Sequence, residues 1–323
     1  MSVNELVRAT YEGNIQKLLH LLDVEKVDIN GIGTAQSDYD GMHDQDALTI
    51  AAKCSPKEVV LLLLERGATN YASALYGAVA NRRTEIVSLL LDRGADVNSI
   101  GGKYGTALCV AAAKGGWEIV SLLLDRGADV NSTSGKYGAA LCAAAAKGEM
   151  DIVSRLLDRG ADINSLSGKY GTALCAAAAK GEMDIVSQLL DQGAYVNSTG
   201  GEYGSALYAA AAEGRIDVAS LLIARGADVN ATGEYGTALT MAASQSQTSF
   251  CFQLLRWKAN TNIVSGCYGT ALAAASYKGL QDIMSMLLEY LGTDINALGG
   301  QYGSALGAAF AKITPTNINT SIS

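Results

Sequence analysis

The chain has 323 residues, 49% hydrophobic and only 17% charged, with 36 Gly, 2 Pro and a formal net charge of −8. An acidic balance argues against a nucleic-acid backbone as main partner, because that calls for basic patches. No apolar run is long enough to span a membrane, so no membrane partner is expected.

The first element is read over residues 4–30, where Leu6, Ala9 and Gly13 lead into an apolar stretch from Ile15 to Leu22. Its polar positions, Glu5, Arg8, Glu12, Lys17 and His20, suit a cap with one face in water. The start, MSVNELVRATYEGN, lacks the basic and apolar regions of a signal peptide. With six Cys and no such leader, the thiols are expected reduced and the chain cytoplasmic, the nucleus being the other compartment open.

An acidic loop follows, GIGTAQSDYDGMHDQD. Asp38, Asp40 and Asp44 resemble part of a calcium loop, but no late bidentate Glu follows, so a solvated acidic loop is preferred and no metal is expected. His43 among these aspartates makes Asp38, Asp40, His43 and Asp44 the weak catalytic candidates of the chain. From Leu6 to the matching Leu48 is 42 residues, and from Leu48 to Leu75 only 27. One connecting loop is thus overlong and the next almost deleted. The long one could fold over the vacant place and roof a pocket, with Tyr71 and Tyr76 opposite. Pro56 reads as the first helical residue behind an N-cap at Ser55.

The middle is built on repetition. Residues 135–165 and 168–198 are nearly the same text, and Tyr-Gly-x-Ala-Leu returns at Tyr104, Tyr137, Tyr170, Tyr203, Tyr235, Tyr268 and Tyr302. The steps are 33, 33, 33, 32, 33 and 34 residues. A fixed period of this size marks stacked units, each too small to bury its own apolar face. Within one unit Thr172 caps a helix from Ala173 to Lys180, and Gly181 ends it. A second helix runs from about Met183 to Gln192, with Ile185, Val186, Leu189 and Leu190 inward. The Gly-rich remainder reads as an extended finger leading to the next unit. In the unit from Tyr235, Ser246 and Lys258 replace the helix-ending glycines while Phe250, Phe252 and Trp257 gather. A local distortion is expected there, with Trp257 either an interface anchor or extra core. After a last helix over 304–312, Pro315 opens a Thr/Asn/Ser tail expected to be disordered.

The text resembles the ankyrin repeat. Thr106/Leu108, Thr172/Leu174, Thr237/Leu239 and Thr270/Leu272 carry its Thr-x-Leu, and Gly115, Gly148, Gly181, Gly214 and Gly279 its helix-ending glycine. Gly94–Asn98, Gly127–Asn131 and Gly226–Asn230 carry its Gly-Ala-Asp-Val-Asn. The flavour is that of fungal ankyrin arrays. The family's Pro before the leucine is Ala here, and its His is Cys109, Cys142, Cys175, Tyr208 or Thr240, so the hydrogen bonds of those His residues do not carry over. The resemblance implies an all-α ankyrin-repeat solenoid of paired antiparallel helices with short hairpin fingers. The domains are read as 1–42, cap and acidic finger; 43–312, repeat array; 313–323, tail.

The function implied by the resemblance is a protein–protein interaction scaffold that binds another protein through its concave finger and first-helix face. Eight tyrosines share one position before the first helix (Tyr71, Tyr104, Tyr137, Tyr170, Tyr203, Tyr235, Tyr268, Tyr302), about 10 Å apart at the width of a helix layer. They either seal seams between fingers or form a binding palisade. Below them Ala113, Ala146, Ala179 and Ala212 would floor a shallow groove, with Lys114, Lys147, Lys180 and Lys278 one residue on. Such a lysine row favours an acidic or carboxylate-bearing ligand, a small one included, or merely complements helix C-termini. The alternative is a small-molecule binder or enzyme at the acidic finger and repeats one to three. No motif of nucleotide, zinc or nucleophile chemistry occurs, and no cofactor is expected.

Overall fold

A computed structural model describes residues 3–35, 43–233 and 236–313. It divides into two units, one of Met1–Ala144 with Asp151–Ala161, the other of Ala145–Met150 with Asp162–Ser323. Both are built from the same pair of antiparallel helices. Repeats are counted here from the N-terminus, the third beginning at Tyr71 and the tenth at Tyr302.

The short first helices form where a hydroxyl meets a run of strong helix formers. Thr106, Thr172, Ser205, Thr237 and Thr270 each accept the backbone N–H three residues on, at 3.1–3.3 Å. Asp46 does the same for the helix Ala47–Cys54. Alanines dominate these helices because both sides are covered: every residue of Ala173–Lys180 except the terminal lysine is buried. Gly181 closes that helix at φ 82°, a left-handed turn that glycine makes at least cost. The second helices, Thr84–Asp92, Trp117–Asp125 and Met150–Asp158 in turn, then Met183–Asp191, Ile216–Ala224, Thr248–Arg256 and Gln281–Glu289, bury their Ile, Val and Leu on one face.

Fingers are two-residue strand pairs or single bridges, Ile100–Gly101 with Gly105–Thr106 being one pair. They are joined to one another by main-chain bonds. In the first unit the Lys136 N–H donates to the Lys103 carbonyl at 2.9 Å; in the second the Glu202 N–H donates to Lys169 at 2.8 Å. The approach is so close that a Cβ on Gly201 would lie 2.3 Å from the Gly171 nitrogen.

The N-terminal irregularities have clear physical outcomes. Part of the overlong loop becomes a hairpin stem, Gly33–Ala35 antiparallel to His43–Gln45, with Ala35 opposite His43. Where the next finger is deleted, side chains hold the short connection, Asn30 making there the bond that Asn98 and Asn164 make in the regular repeats. The Thr69 N–H donates to Asn30 Oδ1 at 2.9 Å, and Asn70 Nδ2 donates to Asp46 Oδ2 at 2.7 Å. Tyr71 consequently opens the helix Tyr71–Ala80 rather than standing in a finger. Ser55 also departs from expectation. Its hydroxyl donates to the Thr10 carbonyl at 2.8 Å, and Pro56 takes the capping position before Lys57–Glu65.

Repeat eight keeps its turns. Ser246 and Lys258 hold φ 63° and 66°, the left-handed geometry of the glycines they replace, so no distortion arises at either turn. Its aromatics separate by helix face: Phe250 is core at 1% exposure, whereas Phe252 is 52% exposed.

Candidate functional site: the finger and first-helix face

The finger tyrosines lie closer together than helix-layer spacing predicts. In the first unit Tyr104 and Tyr137 stack with centroids 5.7 Å apart and planes 4° apart. In the second, Tyr170 and Tyr203 repeat the arrangement at 5.6 Å and 4°. The expected spacing of about 10 Å fails because hydrogen-bonded fingers approach as strands do, at about 4.8 Å, rather than as helices. Tyr137 and Tyr170 are only 6% and 5% exposed, so their rings seal seams. Tyr104, Tyr203, Tyr268 and Tyr302 are half-buried, while Tyr235 lies outside the described residues. Lys103 and Lys136 place their ammonium groups 5.0 and 5.7 Å from the Tyr104 and Tyr137 ring centroids. These two finger lysines were not singled out from the sequence, although each directly precedes its tyrosine.

Lys114 and Lys180 end their helices, Lys147 stands in the turn after Ala140–Ala145, and all three are exposed. The alanines before them do not floor a groove: Ala179 is 0% exposed, and Ala113 and Ala146 are buried with it. Their methyl groups are used in packing, leaving tyrosine edges and lysine heads as the accessible chemistry. Repeat seven inverts the charge. Glu213 stands at the lysine position and accepts the Tyr203 hydroxyl at 2.9 Å. Burial first, then the Glu213 carboxylate, holds the Tyr203 phenol well above its ordinary range.

Repeat nine adds a ring that the sequence reading did not single out. Tyr277 replaces the helix alanine and stacks on Tyr302 at 4.6 Å, with Tyr268 5.7 Å from Tyr277. Burial and the hydrogen bond to Tyr277 push the Tyr302 phenol up to about 12. Trp257 is half-buried just past the C-terminus of its helix, where the chain turns toward the next finger.

The position of the family's His is occupied by thiols that make related bonds. Cys109 Sγ donates to the Gly138 carbonyl at 3.3 Å, and Cys175 Sγ points to the Gly204 carbonyl at 4.0 Å. Burial raises both thiols above their usual range, keeping them protonated. Among the described residues no three His, Cys, Asp or Glu converge as a metal-binding set. Asp38 and Asp40 lie outside the described residues; His43 and Asp44 belong to the second stem strand.

Repeated helix pairs, glycine turns and hydrogen-bonded fingers define an ankyrin-repeat solenoid, and the chain belongs to the ankyrin-repeat family. A family model described as ankyrin repeats (3 copies) matches residues 6–101, 66–134, 99–167 and 141–233. The helix pairs continue beyond that match, through Ala238–Ser244 with Thr248–Arg256 and Ala271–Lys278 with Gln281–Glu289. No curated protein matches the chain. Ankyrin repeats generally mediate protein–protein interaction. Among the described residues no helix is long and apolar enough to cross a membrane.

Proposed function

We propose that the chain is a protein–protein interaction scaffold whose finger and first-helix face takes an acidic segment of its partner. The observation that carries this is the exposure of Lys114 in the first unit, and of Lys147 and Lys180 in the second, in a chain whose net charge is −8. The surrounding acids would otherwise repel an acidic partner, so these ammonium groups set both register and orientation on the face. The half-buried Tyr104 and Tyr203 add rigid contact area with little rotamer entropy to lose, while Tyr137 and Tyr170 stay sealed in their seams. Ion pairing at an exposed rim weakens with salt, so the complex is expected to loosen as ionic strength rises.

The test is a capture experiment from native lysate with the wild type and a Lys147→Glu/Lys180→Glu variant. Both lysines are exposed, so the variant should keep the wild-type melting temperature and lose the captured protein. Equal capture by both forms would reduce the lysines to complements of helix C-termini.

A further inference from the structure

The second helix of repeat eight departs from its counterparts on its exposed face. At one register position six repeats carry serine: Ser88, Ser121, Ser154, Ser187, Ser220 and Ser285. Repeat eight alone has Phe252 there, 52% exposed. It lines a groove of about 380 Å³ in the second unit, together with Ile216, Met286 and the neutral polar side chains of Thr248, Ser249 and Gln253.

Charge changes at the same helix. Its second residue is Asp or Glu in repeats three to seven and in repeat nine, but Ser249 here. Its last residue, Asp92, Asp125, Asp158 or Asp191 in repeats three to six, is Arg256. Three of those aspartates pair with an arginine one repeat on: Asp92 with Arg126 at 2.8 Å, Asp125 with Arg159 at 2.5 Å and Asp191 with Arg225 at 2.7 Å. Arg256 instead lies over the Phe252 ring, 6.0 Å from its centroid, and among the described residues no carboxylate pairs with it. A single exposed aromatic is ordinary on a protein surface. An aromatic at a serine position, beside a groove and under an unpaired cation, offers apolar area and a charge at one place.

We infer that this groove is a second docking surface, and that its occupant is a protein segment setting an apolar side chain against Phe252 and Met286 with a carboxylate on Arg256. The apolar side chain would gain area that the serine-bearing repeats do not offer. The carboxylate would take the place that an aspartate of the array takes against Arg126, Arg159 and Arg225. This surface does not depend on the finger face, so the two readings stand or fall separately.

The experiment selects a displayed library of random short peptides on the full chain and measures each clone by fluorescence anisotropy. Binding is compared for wild type, Phe252→Ser, Arg256→Asp and the Lys147→Glu/Lys180→Glu variant. Phe252→Ser restores the residue of repeats three to seven and nine and should keep or raise the melting temperature. The inference expects clones with Asp or Glu beside Leu, Phe or Trp. Their affinity should fall about tenfold in each repeat-eight variant and be unaltered by the lysine changes. Three results would overturn it. One is a selection with no clone sensitive to Phe252 or Arg256; another is a set of sensitive clones that are basic or uncharged. The third is wild-type self-association in sedimentation that Phe252→Ser abolishes, which would make the groove a contact between copies.

Discussion

Asn164 clamps Tyr195: its Oδ1 accepts the Tyr195 backbone N–H at 2.8 Å, while its Nδ2 donates to the neighbouring Gly193 carbonyl at 3.3 Å. Asn98 makes the same pair of bonds to Asp129 and Gly127, and Asn197 to Asp228 and Gly226. This explains the asparagine that ends Gly-Ala-Asp-Val-Asn. It satisfies one donor and one acceptor where the chain leaves the second helix of the following repeat. Each such bond is worth about 0.5–1.5 kcal/mol net. Asn164→Ala is therefore expected to cost about 1–2 kcal/mol in denaturant unfolding. A change below a few tenths would mean that water serves these groups as well.

Ser246 and Lys258 hold left-handed backbone at φ 63° and 66°. A side chain in that region costs roughly 1–2 kcal/mol, partly offset by the larger unfolded-state entropy of glycine. Ser246→Gly and Lys258→Gly should each stabilise the chain by about 0.5–1 kcal/mol. Thermal or urea midpoints read this directly, and a loss of stability in both variants would refute it.

The finger tyrosines predict an alkaline limit to stability. Tyr203 and Tyr302 have phenols raised in the folded state, the latter to about 12. Unfolded tyrosine ionises near 10. Between those values the unfolded chain binds fewer protons than the folded one, so stability is full below about pH 10 and declines as pH rises through the folded values. Phenolate absorbance should show a fraction of tyrosines titrating above the ordinary range. Tyr302→Phe should flatten part of the stability loss. A single ordinary titration for all tyrosines would contradict the packing of these rings.

Much of this architecture is legible in the amino-acid sequence because each unit obeys local rules. Thr172, the alanine run and Gly181 specify one helix with its cap and stop, and the 33-residue step then repeats that decision. Cys109 and Cys175 stand where the family has His, and their bonds to the next finger, which the change of residue type gave no reason to expect, emerge only from the structure. The site is less legible, because it depends on how units approach one another. Ring spacing follows from the bond between Lys136 and Lys103, which no single repeat encodes. Tyr71 falls out of the finger series because a deletion draws the helix start forward over it. Phe250 and Phe252 are two residues apart on a helix, and only their register against other repeats separates core from surface.

The finger face, as the place where a partner is held, is tested most directly by amide hydrogen exchange of the chain with and without its captured partner. The account predicts new protection in the fingers around Lys103–Thr106, Lys136–Ala139 and Lys169–Thr172, and at the helix ends carrying Lys114, Lys147 and Lys180. Protection confined to second helices such as Trp117–Asp125 and Met183–Asp191, with the fingers exchanging as in the free chain, would contradict it.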